Sequence, residues 1–267
     1  MTRAEPPAGL PSGLIDQLQV LLCDADGNLF PSEEPAFAAS AGVTNRFLDH
    51  HGVRRRYAPE ELRLATTGMN FRNTALALAT QHGICEVTDL EGWVQEERRV
   101  VTAHLSATLR PDDQVLRALT VIEEHLALAA VSSSALARLA GCFTATGLDG
   151  LIPVHRRFSA EDSLPVPTSK PDPAIYLHAC AQLGIAAAAG LAVEDSVPGA
   201  QSAVAAGCPT VGNTVFVPPA ERPERTAALY EAGVLAVVSS WNELVDLLVP
   251  TLDRRAVTGP VQTREVG

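Results

Sequence analysis

Short apolar runs recur along the chain, separated by segments of helical spacing. Gln19 to Cys23 (QVLLC) is nearly continuous in apolar residues and stops at Asp24, as expected of a strand covered on both faces of a parallel sheet. Similar runs stand at Leu126 to Val131, Gly190 to Val193, Pro209 to Val211 and Leu235 to Val238. Between the later runs, Val115, Leu116, Leu119 and Ile122 follow the Pro111-Asp112 start signal. Ile175, Ala179 and Leu183 lie between Pro173 and Gly184, and Pro198 and Gly207 bracket a third segment. Strands alternating with helices of this length predict right-handed crossovers and an α/β core, a parallel sheet with helices on both faces.

One stretch departs from that alternation. From about Pro35 to Arg110 no strand pattern is present, only helical material at Ala36 to His50, Pro59 to Thr66, Arg72 to His82 and Asp89 to Leu109. The sequence therefore predicts a core domain over 14–34 and 111–250, with a helical insertion over 35–110 that serves as a lid over the strand ends. The leader, Met1 to Pro11, and the segment 251–267 lack periodicity and read as a loose start and a flexible tail.

Composition narrows the function. A 267-residue chain with 46% apolar residues can bury a sizeable core, which excludes a disordered or fibrous protein. A net charge of -11 opposes nucleic-acid binding, which needs a basic face against phosphates. No apolar run approaches the roughly 18 residues of a membrane span, and the first residues lack a signal-peptide pattern, so a cytoplasmic protein with a small-molecule partner is expected. Five scattered cysteines and seven histidines show neither disulfide nor metal-ligand spacing. Positive charge comes from nineteen arginines and a single lysine, Lys170.

In an open parallel sheet, ligands bind beyond the carboxyl ends of the strands, so the residues delivered there carry the chemistry. The first run delivers Asp24-Ala25-Asp26-Gly27-Asn28, the second Ser132-Ser133-Ser134, and a later one Glu194-Asp195-Ser196. Lys170 stands in a Ser169-Lys170-Pro171-Asp172-Pro173 turn just ahead of a helix. A compact ammonium at that turn, in a chain that otherwise uses arginine, marks a position where a broad guanidinium would not serve.

Read in order, the D-x-D-G, strand-end serine, K-P-x-P and E-D-S segments resemble the four motifs of the haloacid dehalogenase superfamily, in its helical-cap phosphatase and β-phosphoglucomutase-like branch. The resemblance implies a Rossmann-like core with an inserted α-helical cap domain. It also implies a phosphatase that passes a phosphoryl group to Asp24 and then to water, with Mg2+ neutralising the meeting of anions. Asp24 and Asp195 would hold the ion with the Asp26 carbonyl, and Glu194 would ligate it directly or through water. The Asp26 side chain would then act as general acid and base. Ser132 and Lys170 would hold phosphoryl oxygens, with Ser133 beside them; Ser132 competes with Ser133 and Ser134 for that role, and any of the three could merely cap the following helix. Asn70 and Arg72, in the Thr67 to Arg72 turn of the insertion, fall where such proteins carry a substrate-specificity loop.

Two departures stand out: Asn28 occupies the usual threonine position after D-x-D-G, and Pro31 replaces an aspartate ahead of Ser32-Glu33, which puts the flap geometry in question. Asp26 disfavours the halide-releasing and phosphonate-cleaving members, which lack an acid there. A phosphosugar mutase and a non-catalytic phosphometabolite-binding protein stay open as alternatives.

Overall fold

The computed structural model describes residues 10–66 and 69–258; most of the leader, Thr67, Gly68 and the last nine residues lie outside the described residues. Packing divides the chain into two units, residues 1–29, 112–135 and 149–267 in one, and 30–111 with 136–148 in the other.

The first unit is built on a six-stranded sheet of β1 (Val20–Cys23), β2 (Ala127–Ser132), β3 (Arg157–Ser159), β4 (Gly190–Glu194), β5 (Thr210–Asn213) and β6 (Ala236–Val238). Their order is β3-β2-β1-β4-β5-β6 and every pairing is parallel. All four β1 residues are buried, which explains its unbroken apolar run: both faces are covered. Cys23 pairs with Ala130 on one side and Val193 on the other, so Asp24, Ser132 and Glu194-Asp195 emerge at one level. The chain builds outward from β1 to β3 and then returns to place β4 on the other flank of β1. That reversal opens the crevice in which such sheets bind ligands.

Helices close the layers. The helix Ala174–Leu183 begins behind Pro173 and ends at Gly184, whose φ of 67° is the left-handed C-terminal turn that glycine permits. Its buried Ile175, Tyr176 and Ala179 pack on Val20, Leu22, Ala129 and Val131 of the sheet. The helix Asp113–Glu123 starts at Asp112, whose carboxylate accepts from the Gln114 and Val115 amides. The C-terminal helix Trp241–Thr258 runs through Thr251, where the sequence reading begins a tail; Leu252 is still buried there, and burial of an apolar face extends the helix. Strand β3 has no counterpart among the expected runs. Its three residues, Arg-Phe-Ser, offer neither length nor alternation, and only pairing with Ala130 to Ser132 makes it a strand.

The second unit is helical: Glu33–His50, Pro59–Thr66, Phe71–Gln81, Leu90–Thr108 and Leu136–Thr146. Its core joins Phe47, Leu48, Tyr57, Leu62, Ala75 and Leu78. The last of these helices falls within the expected 111–250 core yet packs in the helical unit; Gly141 on it would, with a Cβ, come within 2.2 Å of Ser106 Oγ, so the missing side chain lets the two helices close up. Among the described residues no helix is long and apolar enough to cross a membrane.

Candidate active site

The strand ends of the first unit bring Asp24 and Glu194 onto the lone lysine, with Asp195 and Asp26 near Asp24. Lys170 Nζ donates to Asp24 Oδ1 at 2.5 Å, to Glu194 Oε1 at 2.7 Å and to the Val131 carbonyl at 2.8 Å. Its three N–H groups are thereby used, and the side chain is almost wholly buried. The Lys170 main-chain amide in turn donates to Ser133 Oγ at 3.1 Å, which fastens the turn to the end of β2. Tyr176 donates its hydroxyl to the same Glu194 oxygen that Lys170 holds, and the ammonium lies 5.3 Å from the tyrosine ring centre.

Burial works against the charge on Lys170, but Asp24 and Glu194 outweigh it and leave the ammonium pKa raised. For Asp24 the balance falls the other way. Burial lifts its carboxyl well above the usual carboxylate range, Lys170 pulls it down, and Glu194, Asp195 and Asp26 push it up again. One ammonium cannot neutralise such a cluster, and two oxygens show it: Asp24 Oδ2 and Glu194 Oε2 are buried without a hydrogen-bond partner.

Asp24, Glu194 and Asp195 offer carboxylate oxygens all within 4.8 Å of one another, the one such His/Cys/Asp/Glu group among the described residues. Three hard oxygen donors, two orphaned oxygens and surplus negative charge fit a divalent cation of the Mg2+ or Ca2+ kind, and these residues could hold one. Glycines make room for them. Gly27 takes φ 80°, and a Cβ there would sit 2.4 Å from Asp195 Oδ2; a Cβ on Gly199 would sit 1.8 Å from Glu194 Oε2. Only glycine allows the backbone to pass so close to both carboxylates.

The Asp26 side chain lies outside that three-carboxylate group. Its Oδ2 accepts from Ser134 Oγ at 2.8 Å and from Ser132 Oγ at 3.3 Å, while Ser132 Oγ accepts from the Ser134 amide at 2.9 Å. Ser132 is buried. Arg225 donates to the Asp195 carbonyl at 2.8 Å. Asn70 and Arg72 belong to the helical unit, where Asn70 caps the helix Phe71–Gln81 through the Asn73 amide and Arg72 pairs with Glu91. Sequence reasoning named Ser134 only as a competitor of Ser132, and it missed Tyr176, Arg225 and Asn213. Tyr176 carries a weak signal, a polar-tipped residue on the apolar face of the helix that follows Lys170; Asn213 ends an apolar run as Asp24 does.

Residues 18–207 match the profile of the haloacid dehalogenase-like hydrolases. The chain belongs to that family. Solved structures agree with this membership. A haloacid dehalogenase-like protein of unknown function from Agrobacterium tumefaciens superposes at a TM-score of 0.67 with 26% identity, covering 87% of this chain and 98% of its own. A haloacid dehalogenase family hydrolase from Deinococcus radiodurans, solved with bound phosphate and sodium, gives 0.65 and 26%, over 88% and 97%. A structure from Haemophilus somnus described as a predicted phosphoglycolate phosphatase shares the fold at 0.67 with 19% identity, over 86% and 97%. A search of curated proteins finds no match. As a haloacid dehalogenase-like hydrolase, the chain carries all four motif segments in one unit, with Asp24, Lys170, Glu194 and Asp195 in mutual reach.

Proposed function

We propose that this chain is a Mg2+-dependent phosphoric monoester hydrolase, acting on a small phosphorylated metabolite through a phosphoryl group carried on Asp24. The observation that carries the reading is Lys170, which bridges Asp24 and Glu194 while leaving one oxygen of each buried and unpartnered. Mg2+ held by Asp24, Asp195 and the Asp26 carbonyl, with Glu194 direct or through water, would supply the positive charge that lets an anionic nucleophile approach an anionic phosphate.

An Asp24 carboxylate oxygen attacks phosphorus, and the bond to the leaving oxygen breaks. Asp26 gives that oxygen its proton, then takes a proton from the water that cleaves the acyl phosphate, releasing inorganic phosphate and restoring Asp24. The Ser134 hydroxyl on Asp26 supports this division of labour, since it aims the Asp26 side chain separately from the Asp24 cluster. Lys170 would exchange one of its present acceptors for a phosphoryl oxygen and the Ser132 hydroxyl would turn from Asp26 to another, while Ser133 seats the lysine turn.

An aryl phosphate assay with Mg2+ tests the proposal. Phosphate release is expected to vanish with a chelator and in Asp24→Asn. Asp26→Ala should lose about 10²- to 10⁴-fold in turnover while Mg2+ affinity stays near wild type, because only its backbone is asked to bind the ion. Turnover that survives in Asp24→Asn rules the mechanism out. A phosphorylated sugar converted to its isomer, without free phosphate, assigns the chain to phosphoryl transfer between hydroxyls instead.

A further inference from the structure

Asn28 departs from the family's usual threonine, and the structure gives the departure a purpose. Both Asn28 and Asn213 are wholly buried, where an amide must satisfy every donor and acceptor it carries. Asn28 Nδ2 donates to the Asp24 carbonyl at 2.9 Å and to the Val193 carbonyl at 3.0 Å, and Asn28 Oδ1 accepts from Asn213 Nδ2 at 2.9 Å. Asn213 Oδ1 accepts from the Val215 amide at 3.1 Å, and the Asn28 carbonyl accepts from Trp241 Nε1 at 3.1 Å. Only one orientation of the Asn28 amide fits, because its nitrogen faces two carbonyls.

These bonds reach the peptide units that carry the acidic cluster. The Val193 carbonyl already accepts from the Asp24 amide at 3.0 Å, so β1 and β4 are joined at their last peptides, and Asn213 adds the end of β5. Asp24 owns one of the two carbonyls that Asn28 holds, and Asp195 follows the other by two residues. Rotation of either peptide swings a carboxylate of the cluster. A threonine hydroxyl has one hydrogen, so it could serve only one of the two carbonyls that Asn28 Nδ2 holds, though its oxygen could still accept from Asn213.

We infer that Asn28 and Asn213 are a matched pair of positioning residues, which set the spacing of the Asp24 and Asp195 carboxylates for the cation. The inference rests on the reading of those carboxylates as a Mg2+ site. Neither amide touches substrate.

The test measures Mg2+ affinity by calorimetry, alongside Tm and steady-state kinetics, on the full chain. Asn213→Leu leaves Asn28 Oδ1 buried without its Asn213 donor and lowers Tm; Asn28→Leu combined with Asn213→Leu removes that orphan and brings Tm part of the way back, the Val215 amide and the Asp24 carbonyl still lacking their asparagine partners. Mg2+ affinity and kcat nevertheless stay lowered in the double variant, by about ten- to a hundredfold as for other groups behind metal ligands, with KM little changed. A merely structural pair predicts that affinity recovers together with Tm, and that result overturns the inference. Should the leucine variants fail to fold, Asn213→Ser carries the test, weakened Mg2+ binding supporting the inference and unchanged binding refuting it. Wild type that binds Mg2+ through this pair but releases no phosphate removes the hydrolase reading and leaves the pair standing. Wild type that binds no Mg2+ removes both.

Discussion

Replacing Lys170 with methionine keeps the buried stem and deletes the charge, so it isolates what the ammonium does. Three acceptors lose the ammonium at once, two of them carboxylate oxygens at 2.5 and 2.7 Å, of which Glu194 Oε1 keeps the Tyr176 hydroxyl. Removing one partner of a buried ion pair costs about 3–5 kcal/mol. A second route bounds the figure: at pH 7 the variant can instead protonate one carboxyl whose ordinary pKa is about 4, which costs about 4 kcal/mol. The two agree, and the second fixes the pH dependence. The Asp24 carboxyl is already raised by burial, and loss of Lys170 raises it further. A group raised in the folded state contributes its stability below its unfolded pKa and loses it as pH climbs through the folded one. The deficit of Lys170→Met therefore grows as pH rises through the interval between the raised Asp24 value of the wild type and the still higher one of the variant, by at most about 1.4 kcal/mol per pH unit. Lys170 itself stays charged throughout, its pKa being raised. Urea unfolding in chelator at pH 5, 6, 7 and 8, followed by tryptophan fluorescence, reads the difference. A deficit under about 1 kcal/mol at pH 7, or one equal at pH 5 and pH 8, refutes the assignment of Lys170 as the counter-charge.

Gly199→Ala places a methyl 1.8 Å from Glu194 Oε2, and the other Glu194 oxygen is held by Lys170 and Tyr176, so the carboxylate cannot swing away freely. Overpacking of about 1–3 kcal/mol is expected in urea unfolding, together with weaker Mg2+ binding; wild-type stability in this variant contradicts the packing described. Among the cysteines only Cys85 is exposed, and burial, then the nearby Asp24 and Glu194, push the Cys23 thiol up. A thiol reagent should modify one cysteine quickly in the native chain and the other four on unfolding, and two fast thiols would count against the fold.

Much of this arrangement was readable along the chain, for a physical reason. A strand buried on both faces must be apolar throughout, so the point where polarity returns, at Asp24, Ser132 and Glu194, marks both its end and its chemistry. The helices of the insertion announced themselves through periodicity and caps and lie within about a residue of expectation over Pro59–Thr66, Phe71–Gln81 and Leu90–Thr108. Strand β3 was not readable because its state comes from its neighbour. Nor was the membership of Leu136–Thr146 in the helical unit, since an apolar helical face does not say what it packs against.

The same division runs through the site. By itself the sequence determined which residues stand at the strand ends, because register and burial are written in local polarity, and it singled out the lone lysine by composition. Tertiary structure alone decided the partners: Tyr176 on Glu194, Ser134 on Asp26, and Asn28 bridging two strands to reach Asn213. Those contacts join residues as far as 185 positions apart, and one chain's local pattern carries no term for the hydrogen bond that a buried polar atom must find across a sheet.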